Sequence, residues 1–333
     1  MAVTVVLVGP TAAGKSALAV ALAERFAADG QPAEVINADS MLIYRGMDIG
    51  TAKPTAAERR NIPHHLIDIL DVVEPATVAE FQRLARTAIS GCRTRGVIPV
   101  VVGGSALYVR AIVDDFAFPG TDPVLRAQLE AQLARFGPQQ MHARLAGRDP
   151  EAAAQIQPGN GRRIVRALEV LAITGRPYHA SLPPRRYLLT DVIQIGIDID
   201  RATLDRRVAA RVDAMWAAGL VAEVRALEAS GLRSGRTASR ALGYRQVLDL
   251  LAGTISEAEA IEQTVAATRR FARRQDSWFR KDPRIRWLRY DDPELVESAY
   301  LLAAENEATP ILPRSSGTGD QPAAAGSAPH MED

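Results

Sequence analysis

The run Gly9-Pro10-Thr11-Ala12-Ala13-Gly14-Lys15-Ser16 matches the pattern G-x-x-x-x-G-K-[ST] and directly follows the apolar stretch Val3 to Val8. It also opens an Ala-rich segment of helical spacing, Lys15 to Ala28. Backbone N–H groups in a loop so placed, with the positive end of a helix behind them, cradle phosphate oxygens. Lys15 adds a mobile positive charge, and the Ser16 hydroxyl is a candidate Mg²⁺ ligand. Phosphate binding is predicted, but the loop does not say what becomes of the phosphate.

Two further polar loops end Val-rich runs: Ala38-Asp39-Ser40 after Glu34 to Asn37, and Gly103-Gly104-Ser105 after Val97 to Val102. Open α/β sheets build their sites at the carboxyl ends of strands. Asp39 could accept a proton from a nucleophile there, hold Mg²⁺ through water, or simply cap a turn. The later run ends in Gly-Gly-Ser where a P-loop NTPase often carries a Walker-B Asp, which disfavours ordinary ATP hydrolysis. His64 and His65 invite a metal reading, but no Cys or third ligand is near them in the chain, so a structural role is expected.

Charge is segregated along the chain. Between Arg269 and Arg289, RRFARRQDSWFRKDPRIRWLR interleaves basic residues with Phe271, Trp278, Phe279 and Trp287. Such a stretch is either a solvated face over buried aromatics or a grip on nucleic-acid phosphates.

The elements that must position these residues follow a repeated β-then-α order. Val3–Val8, Glu34–Asn37, Val97–Val102, Val192–Ile199 and Arg284–Tyr290 read as strands, with a helix from Thr77 to Arg95 before the third. Continuous Val/Ile runs alternating with helices predict a parallel sheet flanked by helices, a P-loop NTPase-like α/β core. From 116 to 184 the pattern changes to helices punctuated by Pro and Gly, which predicts a helical insertion. The core then comprises 1–115 and 185–305, and the Pro/Gly/Ser/Ala-rich 306–333 reads as a disordered tail.

Over 333 residues, 40 Lys and Arg oppose 39 Asp and Glu, and 47% of the chain is hydrophobic. That balance excludes a largely disordered chain or a fibre. No apolar run approaches the roughly 20 residues a membrane span needs. The lone Cys92 allows no intrachain disulfide and no multi-cysteine zinc site, and no charged-then-apolar leader precedes the first strand. A cytoplasmic protein is expected.

GPTAAGKS, ADSMLIYRGMDIGTAKP, PHHLID, VVGGSALYVRA, RRIVRALEV and RALGYRQ, in this order, resemble the bacterial tRNA dimethylallyltransferases (tRNA isopentenyltransferases) over about Met1 to Asp291. The block Ala38 to Pro54 is far more specific than the P-loop. The resemblance implies transfer of a dimethylallyl group from dimethylallyl diphosphate to N6 of the adenine 3′-adjacent to the anticodon of tRNA, releasing diphosphate, with Mg²⁺. It implies that Gly9 through Ser16 hold the diphosphate and that Thr11 through Ser16 contact the prenyl donor. Lys15, Asp39, Ser105 and Arg207 would be catalytic, with Asp39 as the base and Ser16 as the metal ligand.

For tRNA the resemblance points to Asp39, Ser40, Met41 and Leu42, to Arg162, Arg163, Ile164, Val165 and Arg166, and to Leu242, Gly243, Tyr244, Arg245 and Gln246. The helical insertion would then touch the tRNA anticodon stem-loop, and the protein would act as a monomer. The chain departs from the family pattern with Leu42 for the usual Gln, Gly161-Arg162 for Pro-Gln, and Ser105 for Thr. Rival readings are a P-loop kinase of a small metabolite, an adenine-nucleotide prenyltransferase, and an RNA-binding module with a vestigial P-loop.

Overall fold

The computed structural model describes residues 3–178 and 183–308. Six strands form one sheet, and every pairing is parallel: β1 (Thr4–Val8), β2 (Ala33–Asn37), β3 (His64–His65), β4 (Ile98–Val102), β5 (Val192–Asp198) and β6 (Ile285–Arg289), in the order β3-β2-β4-β1-β5-β6. All five residues of β1 and of β4 are buried, as strands covered on both faces must be. Pro99, which has no N–H to give, sits before the β1–β4 ladder begins at Val5 opposite Val100.

The period-two alternation of β1 divides the core. Val6 and Val8 face one layer, packed against α2 (Val78–Thr94), α3 (Ala106–Val113), α8 (Leu220–Ala229), α9 (Tyr244–Leu251) and the end of α10 (Glu257–Phe279). Val5 and Leu7 face the other, against α1 (Lys15–Ala28) and α11 (Leu295–Ala308). Thr77 caps α2 by accepting from Glu80 N–H, and Ser256 with Glu259 forms a reciprocal capping box that starts α10.

Helices α4 (Pro123–Ala146), α5 (Pro150–Gln155) and α6 (Gly161–Thr174) pack around their own apolar cluster of Leu129, Met141, Leu145, Ile156, Ile164 and Leu168. Gly137, at φ 77, and Pro138 break α4 in its middle. The buried Glu169 carboxylate is satisfied by Arg126 and Arg166, and Arg236 of the sheet-bearing body reaches Glu130 on α4 at 3.0 Å.

Three expectations are revised. The pair His64–His65 is a strand, so Val97–Val102 is the fourth rather than the third. The sequence from Arg201 to about Ala272 reads as one helical run; it divides into α7 (Arg201–Ala217), α8, two short 3₁₀ turns, α9 and α10, and α10 continues to Phe279. Residues 306–308, assigned above to the tail, belong to α11, while the rest of the disordered-tail expectation, 309–333, lies outside the described residues. No described helix is long and apolar enough to cross a membrane.

Candidate active site at the P-loop

The P-loop leaves β1 and enters α1 through backbone that few residues adopt: Ala12 has φ 65, and Gly14 at the helix N-cap has φ 106. No side chain caps α1, so its first-turn N–H groups face the open end of the loop. The Lys15 ammonium folds back to donate to the Pro10 carbonyl at 2.7 Å. Burial draws its pKa down to about 8; the Asp39 carboxylate pulls it up, and the Arg211 guanidinium pushes it down. A half-buried ammonium resting on a neutral carbonyl is a site prepared for an anion.

A cavity of about 500 Å³ opens over this loop, lined by Thr11, Gly14, Lys15, Ser16, Asp39, Leu42, Lys53, Gly103, Gly104 and Arg211 among others. Asp39 reaches it from the end of β2. Its Oδ1 accepts Met41 N–H at 2.9 Å, which realises the turn-capping role, and its other oxygen has no hydrogen-bond partner among the described residues. Asn37 fixes this corner: its side chain accepts Asp39 N–H at 2.8 Å and donates to the carbonyls of Asp39 and Leu66. Ser105 stands at the N-cap of α3, but its hydroxyl makes no capping bond.

Arg207 reaches the P-loop only at its margin, with Nη1 3.5 Å from the Ala13 carbonyl and its guanidinium over Tyr290. One helical turn on, Arg211 lines the cavity and lies 3.3 Å from Thr11 Oγ1. Spacing of i and i+4 on α7 was the available signal for it. Gln275 of α10, also absent from the sequence reading, accepts Thr11 N–H and donates to the Gly104 carbonyl, each at 2.8 Å.

The block Ala38 to Pro54 is scaffold as much as site. Lys53 is buried, and its ammonium joins the Tyr44 carbonyl at 2.8 Å to Asp48 at 2.6 Å and Asp68 at 2.5 Å. Glu223 of α8 accepts the N–H groups of Asp48, Ile49 and Gly50 and the Tyr244 hydroxyl.

The residues assigned above to tRNA fall into two kinds. Ser40, Met41 and Leu42 are half-buried, with Leu42 lining the cavity, and Arg162, Arg163 and Arg245 are exposed. Ile164 and Val165 are buried in the cluster of the helical unit, Tyr244 and Gln246 are buried, and Gln246 accepts Gly243 N–H at 3.0 Å. Arg166 is spent on the carbonyls of Pro119 and Gly120 and on Glu169. Beside Leu242–Gln246, Arg233, Arg240 and Arg245 line a surface groove with Asp249.

The basic stretch is partly consumed internally. Arg269 donates to the Asp205 carbonyl at 3.1 Å, Arg280 pairs with Asp198 and Asp276 over Trp287, Arg284 holds Asp114 and Asp282, and Arg289 holds Asp291. Arg270, Arg274, Lys281 and Arg286 remain exposed, with Arg273 half-exposed. The two histidines also need a correction: folding brings Glu34 and Cys92 to His65, with ligand atoms within 4.8 Å of one another. That carboxylate already accepts from Arg95 at 2.6 Å, and burial beside it pushes the Cys92 thiol up to about 11.

Sheet order, P-loop and cavity together define an α/β protein of the P-loop NTPase-like class. A family model described as IPP transferase matches residues 42–282, and the chain belongs to that family. It is similar to the tRNA dimethylallyltransferase of Thermobifida fusca (strain YX), 60% identical over 92% of this chain and 96% of the relative. The full-length tRNA isopentenylpyrophosphate transferase of Bacillus halodurans superposes with a TM-score of 0.67 at 38% identity, over 92% of this chain and 98% of that one. A eukaryotic dimethylallyltransferase acting on tRNA gives 0.77 at 25% identity, over 94% and 82%. The protein is an enzyme of prenyl transfer.

Proposed function

We propose that the protein transfers the dimethylallyl group of dimethylallyl diphosphate to N6 of the adenine 3′-adjacent to the anticodon in tRNA, releasing diphosphate. The observation that carries this reading is a P-loop cavity lined by Lys15, Arg211 and the Asp39 carboxylate at the end of β2, with Glu58 as its other acid and Gly103-Gly104-Ser105 where an NTPase places its metal-binding acid. In the reaction N6 attacks C1 of the allyl group, the C1–O bond to diphosphate breaks, and Asp39 takes the N6 proton. Lys15, the first-turn N–H groups of α1 and Arg211 neutralise charge on the departing oxygens. Ser105 donates near the bridging oxygen, and Arg207 supports the loop from outside.

Hard oxygen donors suit Mg²⁺, and Ser16, exposed at the cavity floor, would hold it together with diphosphate oxygens. Bound there, the ion would supply charge neutralisation to the leaving group. The target base must leave its stack to enter the cavity between Asp39 and Leu42. Arg162, Arg163, Arg240, Arg245 and the exposed part of Arg270 to Arg286 would serve as phosphate contacts for the anticodon stem-loop, with 116–184 as a tRNA-contacting helical unit. The enzyme acts as a monomer where tRNA is found, in the cytoplasm.

The test is to incubate tRNA with enzyme, Mg²⁺ and dimethylallyl diphosphate, digest it, and weigh the anticodon-loop nucleosides. One adenosine gaining a five-carbon unit is expected. Modification of free adenine nucleotide in preference to tRNA, or phosphate transfer from ATP to an acceptor, would overturn the assignment.

A further inference from the structure

Lys15, Asp39 and Arg211 account for the floor and wall of the cavity but not for the amide buried behind them. Gln275 is 6% exposed and 264 residues from the P-loop residue it holds. Its Oε1 accepts Thr11 N–H at 2.8 Å, and its Nε2 donates to the Gly104 carbonyl at 2.8 Å. One planar group therefore ties the loop that cradles phosphate to the loop that carries Ser105. The fit is tight: a Cβ on Gly104 would lie 2.3 Å from Gln275 Nε2, so no other residue can stand there without moving the amide.

Thr11 N–H, spent on Gln275, does not face the cavity as an anion donor. That anchor sets the tilt of the P-loop, and with it the aim of the N–H groups that follow. We propose that Gln275 is a positioning residue for prenyl transfer, fixing the separation between the P-loop and the Gly104-Ser105 loop. This rests on the reading of the function above. Only a carboxamide serves both partners, because it carries a donor and an acceptor side by side. A glutamate would turn two acceptors toward an N–H and a carbonyl, and a methionine of similar length would bond neither. Gln275 acts through the two loops and is not assigned a contact with either substrate.

The experiment uses the full-length protein with Gln275→Met and Gln275→Glu, measuring steady-state kinetics in both substrates, tRNA binding and thermal melting. Gln275→Met is expected to lower kcat by about 10- to 100-fold, the scale of a displacement approaching an ångström, at a temperature where the variant is folded. KM for donor and tRNA should stay within about threefold. Gln275→Glu should be as slow at alkaline pH, but its kcat relative to wild type should rise as pH falls. A protonated carboxyl again offers a donor and an acceptor, and burial favours that form.

Three results would overturn the proposal: a Met variant within about twofold of wild-type kcat, a rise confined to the tRNA KM, which would make Gln275 an RNA contact, or a Glu variant whose relative kcat ignores pH. Failure of the parent reading is distinguishable, since the wild-type enzyme itself would then yield no prenylated tRNA.

Discussion

Lys15→Met keeps most of the side chain and removes its charge, and two opposite effects follow. The pKa falls from 10.5 to about 8 in the ligand-free protein, chiefly through burial, a difference of about 3 kcal/mol between charged and neutral forms. The unfolded chain keeps its proton up to 10.5 whereas the folded chain releases it near 8, so the penalty is full below pH 8 and fades between about 8 and 10.5. At pH 7 the variant escapes that penalty, less about 1 kcal/mol for the lost bond to the Pro10 carbonyl. Scanning calorimetry without ligand should therefore show a higher Tm for Lys15→Met at pH 7, with the gain shrinking toward pH 10. Catalysis should move the other way. With no ammonium on the departing diphosphate, kcat/KM for dimethylallyl diphosphate should fall by about 10²- to 10³-fold, while the Kd for tRNA is unchanged. Wild-type kcat/KM for the donor should decline above pH 8, and the variant should lack that limb. A variant that melts lower at pH 7 yet uses the donor normally, or that keeps the limb, would refute both halves of the reasoning.

Asp39→Asn retains size and hydrogen-bonding reach while losing basicity, and kcat should drop by about 10²- to 10⁴-fold with near-normal KM for both substrates; retention of more than about a tenth of kcat would make Asp39 a positioning residue. Arg211→Ala should impair donor use at least about tenfold more than Arg207→Ala, because only the former guanidinium lines the cavity; equal losses in donor kcat/KM would reverse that ranking. Arg273→Ala with Arg274→Ala should raise the tRNA KM and flatten its salt dependence, with Tm unchanged. Arg284→Ala should instead lower stability by about 1.5 to 3 kcal/mol, measured by denaturant unfolding, since it strips one of two guanidinium partners from the fully buried Asp114 and leaves Arg110 as the other.

What the amino-acid order discloses is what it encodes locally. The P-loop, its flanking strand and helix, and the Val-rich strands are legible because the determinants are adjacent residues. The class of reaction was legible only through resemblance, since a P-loop by itself ends at phosphate. Arg207 and Arg211 share one face of α7, and only the fold shows that Arg211 is the one that lines the cavity. Gln275 and Glu223 could not be read at all, because their partners stand 264 and about 175 residues away. The same distance hid the groups that occupy three of the nine basic side chains: the Asp114 and Asp198 carboxylates and the Asp205 carbonyl come from three other elements. It also hid the company His65 keeps, and β3 is too short for any periodicity to show.

The Glu223 carboxylate gathers three backbone N–H groups from Asp48 to Gly50 and one phenol from Tyr244, joining two stretches of chain that are nowhere near each other in sequence. In the language of local opening, the 48–50 loop cannot exchange its amide hydrogens with solvent until it leaves α8. The loop, α8 and the start of α9 thus belong to one cooperative unit. Whatever tightens the 242–246 segment from outside slows breathing of the 48–50 loop, which leads into Thr51 to Pro54 on the wall of the cavity.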